Sequence, residues 1–158
     1  MLLQAKGGYI IALEQKGADM PITVLLADDS DVVRRAVRSL IEGEPSVKLI
    51  AEAENFSRVI DLAKTLRPHV VVMDVRMPDR DMFQPSDIKS ALHPAKVVAI
   101  SMWDDEETQT FAERCGANKL LDKMKLSQEL IPTITQLTSE QRNGIPSKSN
   151  KPQVSAAG

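Results

Sequence analysis

The chain has 158 residues, which fits one domain with ragged ends. A net charge of -2 lacks the basic excess of a sequence-independent nucleic-acid binder. A single cysteine, Cys115, excludes an internal disulfide, and no apolar run approaches the roughly 20 residues of a membrane-spanning helix.

Residues 1–21 form a weakly patterned lead-in. "GGYIIAL" suits a short strand or helical turn, and Met20 offers an alternative start. Lys6, Gly7, Gly8, Glu14 and Lys16 interrupt any signal-peptide core, so the expected location is the cytoplasm. The apolar run "ITVLLA" (22–27) then reads as a first strand, stopped by "DDS". Ser30 is placed to cap a helix in which Val33, Val37, Leu40 and Ile41 recur at helical spacing. Arg34, Arg35 and Arg38 fall mostly on its other side, and "EGEPS" breaks it.

"VKLIAEA" (47–53) is the second strand. Asn55 or Ser57 starts a second helix carrying Val59, Leu62, Ala63 and Leu66, and Arg67–Pro68 stops it, because proline disfavours helix in the residue before it. "HVVVMD" (69–74) is the third strand. The stretch from Val75 to Lys96 is the least regular, with a loop and one short helix over 86–92. "KVVAIS" (96–101) is the fourth strand. "DDEETQTFAERC" is a helix with acids in its first turn, where the helix dipole favours them, and Gly116 ends it. "NKLLDK" (118–123) is the fifth strand and 127–137 a last helix, whose Pro132 threatens a kink. From residue 138 the chain is rich in Ser, Asn, Pro and Lys and is expected to be disordered.

Strand followed by helix, repeated, implies an α/β fold: a doubly wound parallel sheet with helices on both faces. Ligands of such sheets bind beyond the carboxyl ends of the strands. Those ends carry Asp28 and Asp29, Asp74, Ser101 and, close by, Lys123. Acids gathered in a small space repel one another, and a divalent cation with a preference for hard oxygen ligands, Mg²⁺ above all, relieves this. Lys123 balances the remaining charge, Ser101 supplies a hydroxyl, and a carboxylate set between metal and lysine is a reasonable nucleophile for phosphorus.

Together "VLLADDS", "VVVMDVRMPD", "VVAISMWDDEE" and "GANKLLDK" resemble the receiver domain of two-component response regulators, over residues 22–137. The resemblance implies a flavodoxin-like five-stranded sheet of order 2-1-3-4-5. It implies Asp74 as acceptor of a phosphoryl group from a histidine kinase or phosphotransfer protein. It also implies Mg²⁺, with Mn²⁺ as a substitute, held by Asp28, Asp29, Asp74 and the backbone carbonyl of Arg76. Ser101 and Lys123 would hold the phosphoryl group. Phosphorylation would repack the face made by the fourth helix, fifth strand and fifth helix for a partner protein, with a homodimer left open.

Several residues depart from the family pattern. The loop after "MP" has no glycine, Leu120 stands where the family has a switch aromatic, Met124 follows Lys123, and Met102 follows Ser101 where a small residue is common. These departures leave two alternatives: a pseudo-receiver working as a phosphate-independent scaffold, and a transcription regulator without its DNA-binding half. The residues after 137 are too few and too polar for a helix-turn-helix domain, so DNA binding is not expected; nothing in the sequence supplies a substrate pocket, so the expected chemistry is self-phosphorylation from a phosphodonor and self-dephosphorylation only. Trp103 reads as a rim residue, Arg76 as a solvated side chain with a useful carbonyl, Cys115 as a buried small hydrophobe, and "DDEE" as a solvated helix start. His69 and His93 have no metal-like spacing.

Overall fold

Burial alternates with exposure along the helices and is nearly continuous along the runs 22–27, 70–74 and 96–101, as in the central strands of a sheet covered on both faces. In the computed structural model, which describes residues 20–142, five parallel strands lie in the order β2-β1-β3-β4-β5. They are β1 (Ile22–Ala27), β2 (Val47–Ala53), β3 (Val70–Asp74), β4 (Lys96–Ser101) and β5 (Lys119–Asp122). The helices are α1 (Asp31–Glu42), α2 (Phe56–Leu66), α3 (Pro85–Leu92), α4 (Glu106–Arg114) and α5 (Leu126–Arg142).

Alternate strand residues feed two cores. Leu25, Val71, Met73 and Ala99 face α2, α3 and α4, where Phe56, Val59, Ile88 and Phe111 meet them. Val24, Leu26, Val72, Val98 and Ile100 face α1 and α5, against Val37, Ile41, Leu126, Leu130 and Ile134. Burying each side chain of this size contributes about 1.5–3 kcal/mol, so the two layers carry the fold. The expected sheet order follows: β1 pairs with both β2 and β3, and the chain reverses direction across the sheet between β1 and β3.

Local signals act as anticipated at several helix ends. Ser30 Oγ accepts from Val33 N, Asn55 Oδ1 accepts from Arg58 N, and Gly116 sits at φ +82 just past α4. Two strands are shorter than expected, β3 lacking residue 69 and β5 lacking residues 118 and 123, and three helices have shifted ends. The short third helix starts at Pro85 rather than residue 86, because proline fits the first turn, where no backbone donor is needed. α4 starts at Glu106, with Asp105 outside it as the cap.

The third shifted helix is α5, which begins at Leu126 and continues past residue 137 through Arg142, so residues 138–142 are helix rather than disordered tail. Leu126, Leu130, Ile134 and Thr138 make one buried stripe, and the Thr138 hydroxyl, which donates to the Ile134 carbonyl across 2.9 Å, hides its polarity. Pro132 lies on the exposed face, where water can stand in for the N–H that proline cannot offer the Gln128 carbonyl. The lead-in over 1–19, with "GGYIIAL", and the tail over 143–158 lie outside the described residues.

Candidate functional site

Asp28 directly follows β1, and its backbone N–H donates to the Ala53 carbonyl across 3.0 Å, continuing the sheet by one rung. This fixes its side chain at the sheet edge, fully buried. Asp28 Oδ1 accepts from Ser30 N across 2.8 Å. Arg34 reaches back from α1 to donate to the Asp28 carbonyl across 2.6 Å. Asp29 is exposed beside it.

Asp74 ends β3 and pairs in register with Ile100 of β4. It is buried, and its two carboxylate oxygens have separate partners. Oδ1 accepts from Arg76 N across 2.8 Å and Oδ2 from Lys123 Nζ across 2.9 Å. Lys123 opens a short 3-10 turn after β5, with Asp122 capping that turn by accepting from Met124 N. Lys123 Nζ also lies 2.7 Å from Asp28 Oδ2. That contact is an ion pair, and the ammonium is the sole partner of this buried Asp28 oxygen among the described residues.

Burial raises the Asp74 carboxyl above its ordinary range. The Arg76 N–H and the Lys123 ammonium draw it back only in part, and the Asp28 charge adds to the rise. Burial works against the Lys123 ammonium, but Asp28 and Asp74 together outweigh it and hold its pKa above the usual lysine value. The lysine is therefore charged at neutral pH.

One carboxylate oxygen from each of Asp28, Asp29 and Asp74 lies within 4.8 Å of the others. With a buried Asp28 oxygen whose one partner is the shared Lys123 ammonium, this donor set fits a hard divalent cation of Mg²⁺ type. Ser101, buried at the end of β4, completes the edge; its Oγ accepts from Trp103 N across 3.0 Å. Met102 and Trp103 are exposed on the rim beyond it, beside a cavity of about 230 Å³ that Leu120 and Asp122 also line. Leu120 is half-buried and packs against the α2–α3–α4 core.

Arg76 is not the solvated side chain expected from sequence. Its Nη2 donates to Asp105 Oδ2 across 2.9 Å and to Thr108 Oγ1 across 2.8 Å, and its guanidinium carbon lies 5.7 Å from the Trp103 ring centre. Asp105 is likewise more than a solvated acid. It caps α4 by accepting from Thr108 N, and that bond, with the Thr108 hydroxyl and then Arg76 and Arg80, holds its carboxyl below the usual range.

Two further residues escaped the sequence reading. Asp79 accepts from both Phe56 N and Ser57 N, capping α2 from a distant loop, and Arg34 tethers Asp28. Asp79 carried no local signal, since its partners lie 23 and 22 residues away. Arg34 was detectable only as a cation one turn after Asp31. His69 serves the opposite edge of the sheet, where its Nδ1 accepts from Thr23 N.

Comparison with known proteins agrees with this fold. Residues 24–135 match the model of the response regulator receiver domain. An uncharacterized transcriptional regulatory protein of Bacillus subtilis, YxjL, is 38% identical over 114 residues, covering 72% of this chain and 52% of that protein. The nitrate/nitrite response regulator protein NarL of Escherichia coli is 29% identical over 117 residues, covering 73% of this chain and 54% of its own. The chain thus spans about half the length of these two relatives. Among solved structures, the response regulator domain of Thermotoga maritima CheB superposes with a TM-score of 0.66 at 23% identity, covering 76% of this chain and 98% of that one. The signal receiver domain of a NarL from Mycobacterium tuberculosis gives 0.64 at 24% identity, covering 80% and 100%. No described helix is long and apolar enough to cross a membrane. The chain belongs to the response regulator receiver domain family.

Proposed function

We propose that this receiver accepts a phosphoryl group on Asp74 from a phosphohistidine of a kinase or phosphotransfer protein, in the cytoplasm, and passes the state on through protein contact. The carrying observation is the arrangement of Asp28, Asp74 and Lys123: two buried carboxylates share one ammonium, and a third acid, Asp29, stands at the opening. A purely structural ion pair needs neither the second buried acid nor a third acid at the opening.

In the reaction an Asp74 carboxylate oxygen attacks phosphorus and forms an acyl phosphate. The phosphorus–nitrogen bond to the donor imidazole breaks, and its electron pair stays on nitrogen. Asp28, Asp29, Asp74 and the Arg76 carbonyl would hold Mg²⁺, with Mn²⁺ as a substitute, which neutralises phosphoryl charge when bound. Lys123 is already charged and placed to pair with a phosphoryl oxygen. The Ser101 hydroxyl accepts from Trp103 N and keeps its own proton for donation to another. The Arg76 N–H keeps the Asp74 carboxylate aligned.

The output surface proposed is the face of α4, β5 and α5, close to Ser101. Leu120 favours a second reading, a scaffold independent of phosphate, because it offers no ring to follow Ser101 inward. Intact mass after incubation with acetyl phosphate and Mg²⁺ separates the two. Gain of one phosphoryl group by the wild type, and none by Asp74→Asn, supports the receiver; no gain by either supports the scaffold.

A further inference from the structure

The loop after β3 is fastened to α4 by arginine side chains. Arg76 Nε and Nη2 both donate to Thr108 Oγ1, across 3.2 and 2.8 Å, and Nη2 also donates to Asp105 Oδ2. Arg80 adds a bond to Glu107 across 3.0 Å and lies 4.0 Å over the Phe111 ring. Arg76 differs from Arg80 in its other end: its backbone N–H donates to Asp74 Oδ1. Thr108 is fully buried, so this acceptor cannot drift with solvent. A guanidinium is a rigid planar fork, which transmits a displacement better than a flexible ammonium would.

We propose that Arg76 is a positioning residue that couples the Asp74 carboxylate to the first turn of α4. Its main chain follows Asp74, and its side chain follows Asp105 and Thr108. A charge change or displacement at Asp74 shifts the Arg76 peptide, and the fork carries the shift to the α4 cap. Trp103, beside the same guanidinium and bonded to Ser101, moves with it. The phosphate-dependent half of this coupling rests on the phosphoacceptor reading above; the coupling between Asp74 and α4 does not.

Coupling is reciprocal, and a factor of about fivefold is the low end of what such links produce. Amide hydrogen exchange at Thr108 and Gln109 reads the first turn of α4, and intact mass reads phosphorylation separately. In metal-free protein without phosphodonor, Asp74→Ala should raise exchange there about fivefold. In an Arg76→Met background, which keeps the stem and removes the fork, the same change should do less than about twofold, the scatter expected of independent sites. Thr108→Val removes the acceptor without altering charge and should uncouple in the same way. Asp104→Asn, a charge change of the same size and opposite sign to that of Arg76→Met, on a neighbour whose partner is Gln109, should leave the coupling as in wild type.

With acetyl phosphate and Mg²⁺, wild type should show an exchange response in α4, while Thr108→Val should gain the phosphoryl group yet lose that response. An undiminished Asp74→Ala effect in both Arg76→Met and Thr108→Val would overturn the proposal. If wild type gains no phosphoryl group, the phosphoacceptor reading fails, and the metal-free comparison still decides the coupling.

Discussion

Lys123 Nζ donates to Asp74 Oδ2 across 2.9 Å, joining residues 49 positions apart at the edge of the sheet. The same nitrogen contacts Asp28 Oδ2, so a single cation keeps two buried carboxylates together. Lys123→Met should therefore destabilise the metal-free protein at neutral pH by about 3–5 kcal/mol, the cost of breaking a buried pair. Urea unfolding measures it. The deficit should shrink in acid. Asp74 has a raised pKa in the folded state, so the folded chain binds this proton more readily than the unfolded one. Its contribution is present below the ordinary carboxylate value and lost as pH rises through the folded one. A deficit that grew on acidification would contradict the pairing.

Asp105 has the opposite sign. Its pKa is lowered by the Thr108 amide first, then by the Thr108 hydroxyl and Arg76. Its contribution to the α4 cap is present above the ordinary value of 3.8 and lost as pH falls through the lower folded value. Amide exchange in the first turn of α4, corrected for intrinsic rates, should rise on acidification, and Asp105→Asn should flatten the profile. An unchanged profile in that variant would show that the cap carboxylate does not hold the turn.

The strands were legible because buried parallel strands read as short apolar runs, and "ITVLLA", "VKLIAEA" and "KVVAIS" match β1, β2 and β4 residue for residue. Asp28, Asp74 and Ser101 were legible because topology alone brings strand ends together. Long side chains that cross between elements were not. Arg76 carries no local sign that Thr108, 32 residues on, is its acceptor, and Asp79 none that it caps α2. The end of α5 was hidden by composition, since Thr138 is polar by type and buried by position.

Cys115 is fully buried at the end of α4, and burial pushes its thiol up to about 12. A maleimide at neutral pH should leave the native protein unlabelled over hours and modify it at once in denaturant. Rapid labelling of the native state would show that this end of α4 opens far more often than its packing implies.

Gly116 sits at φ +82, and a Cβ there would come 2.8 Å from Lys89 Cγ. Lys89 is exposed and can yield, so the backbone conformation sets the cost. Gly116→Ala should lose about 1–2 kcal/mol in denaturant unfolding. Gly116→Asn should lose less, since asparagine tolerates the left-handed region better. Equal losses would point to the side-chain clash instead.

The most direct test of the central claim is to locate the phosphoryl group. Borohydride reduces an aspartyl phosphate to homoserine, which peptide mass spectrometry reads residue by residue. After treatment with acetyl phosphate and Mg²⁺, homoserine should appear at position 74 and at neither Asp28 nor Asp29. Homoserine at another acid, or unmodified aspartate at all three positions, would contradict Asp74 as the phosphoacceptor.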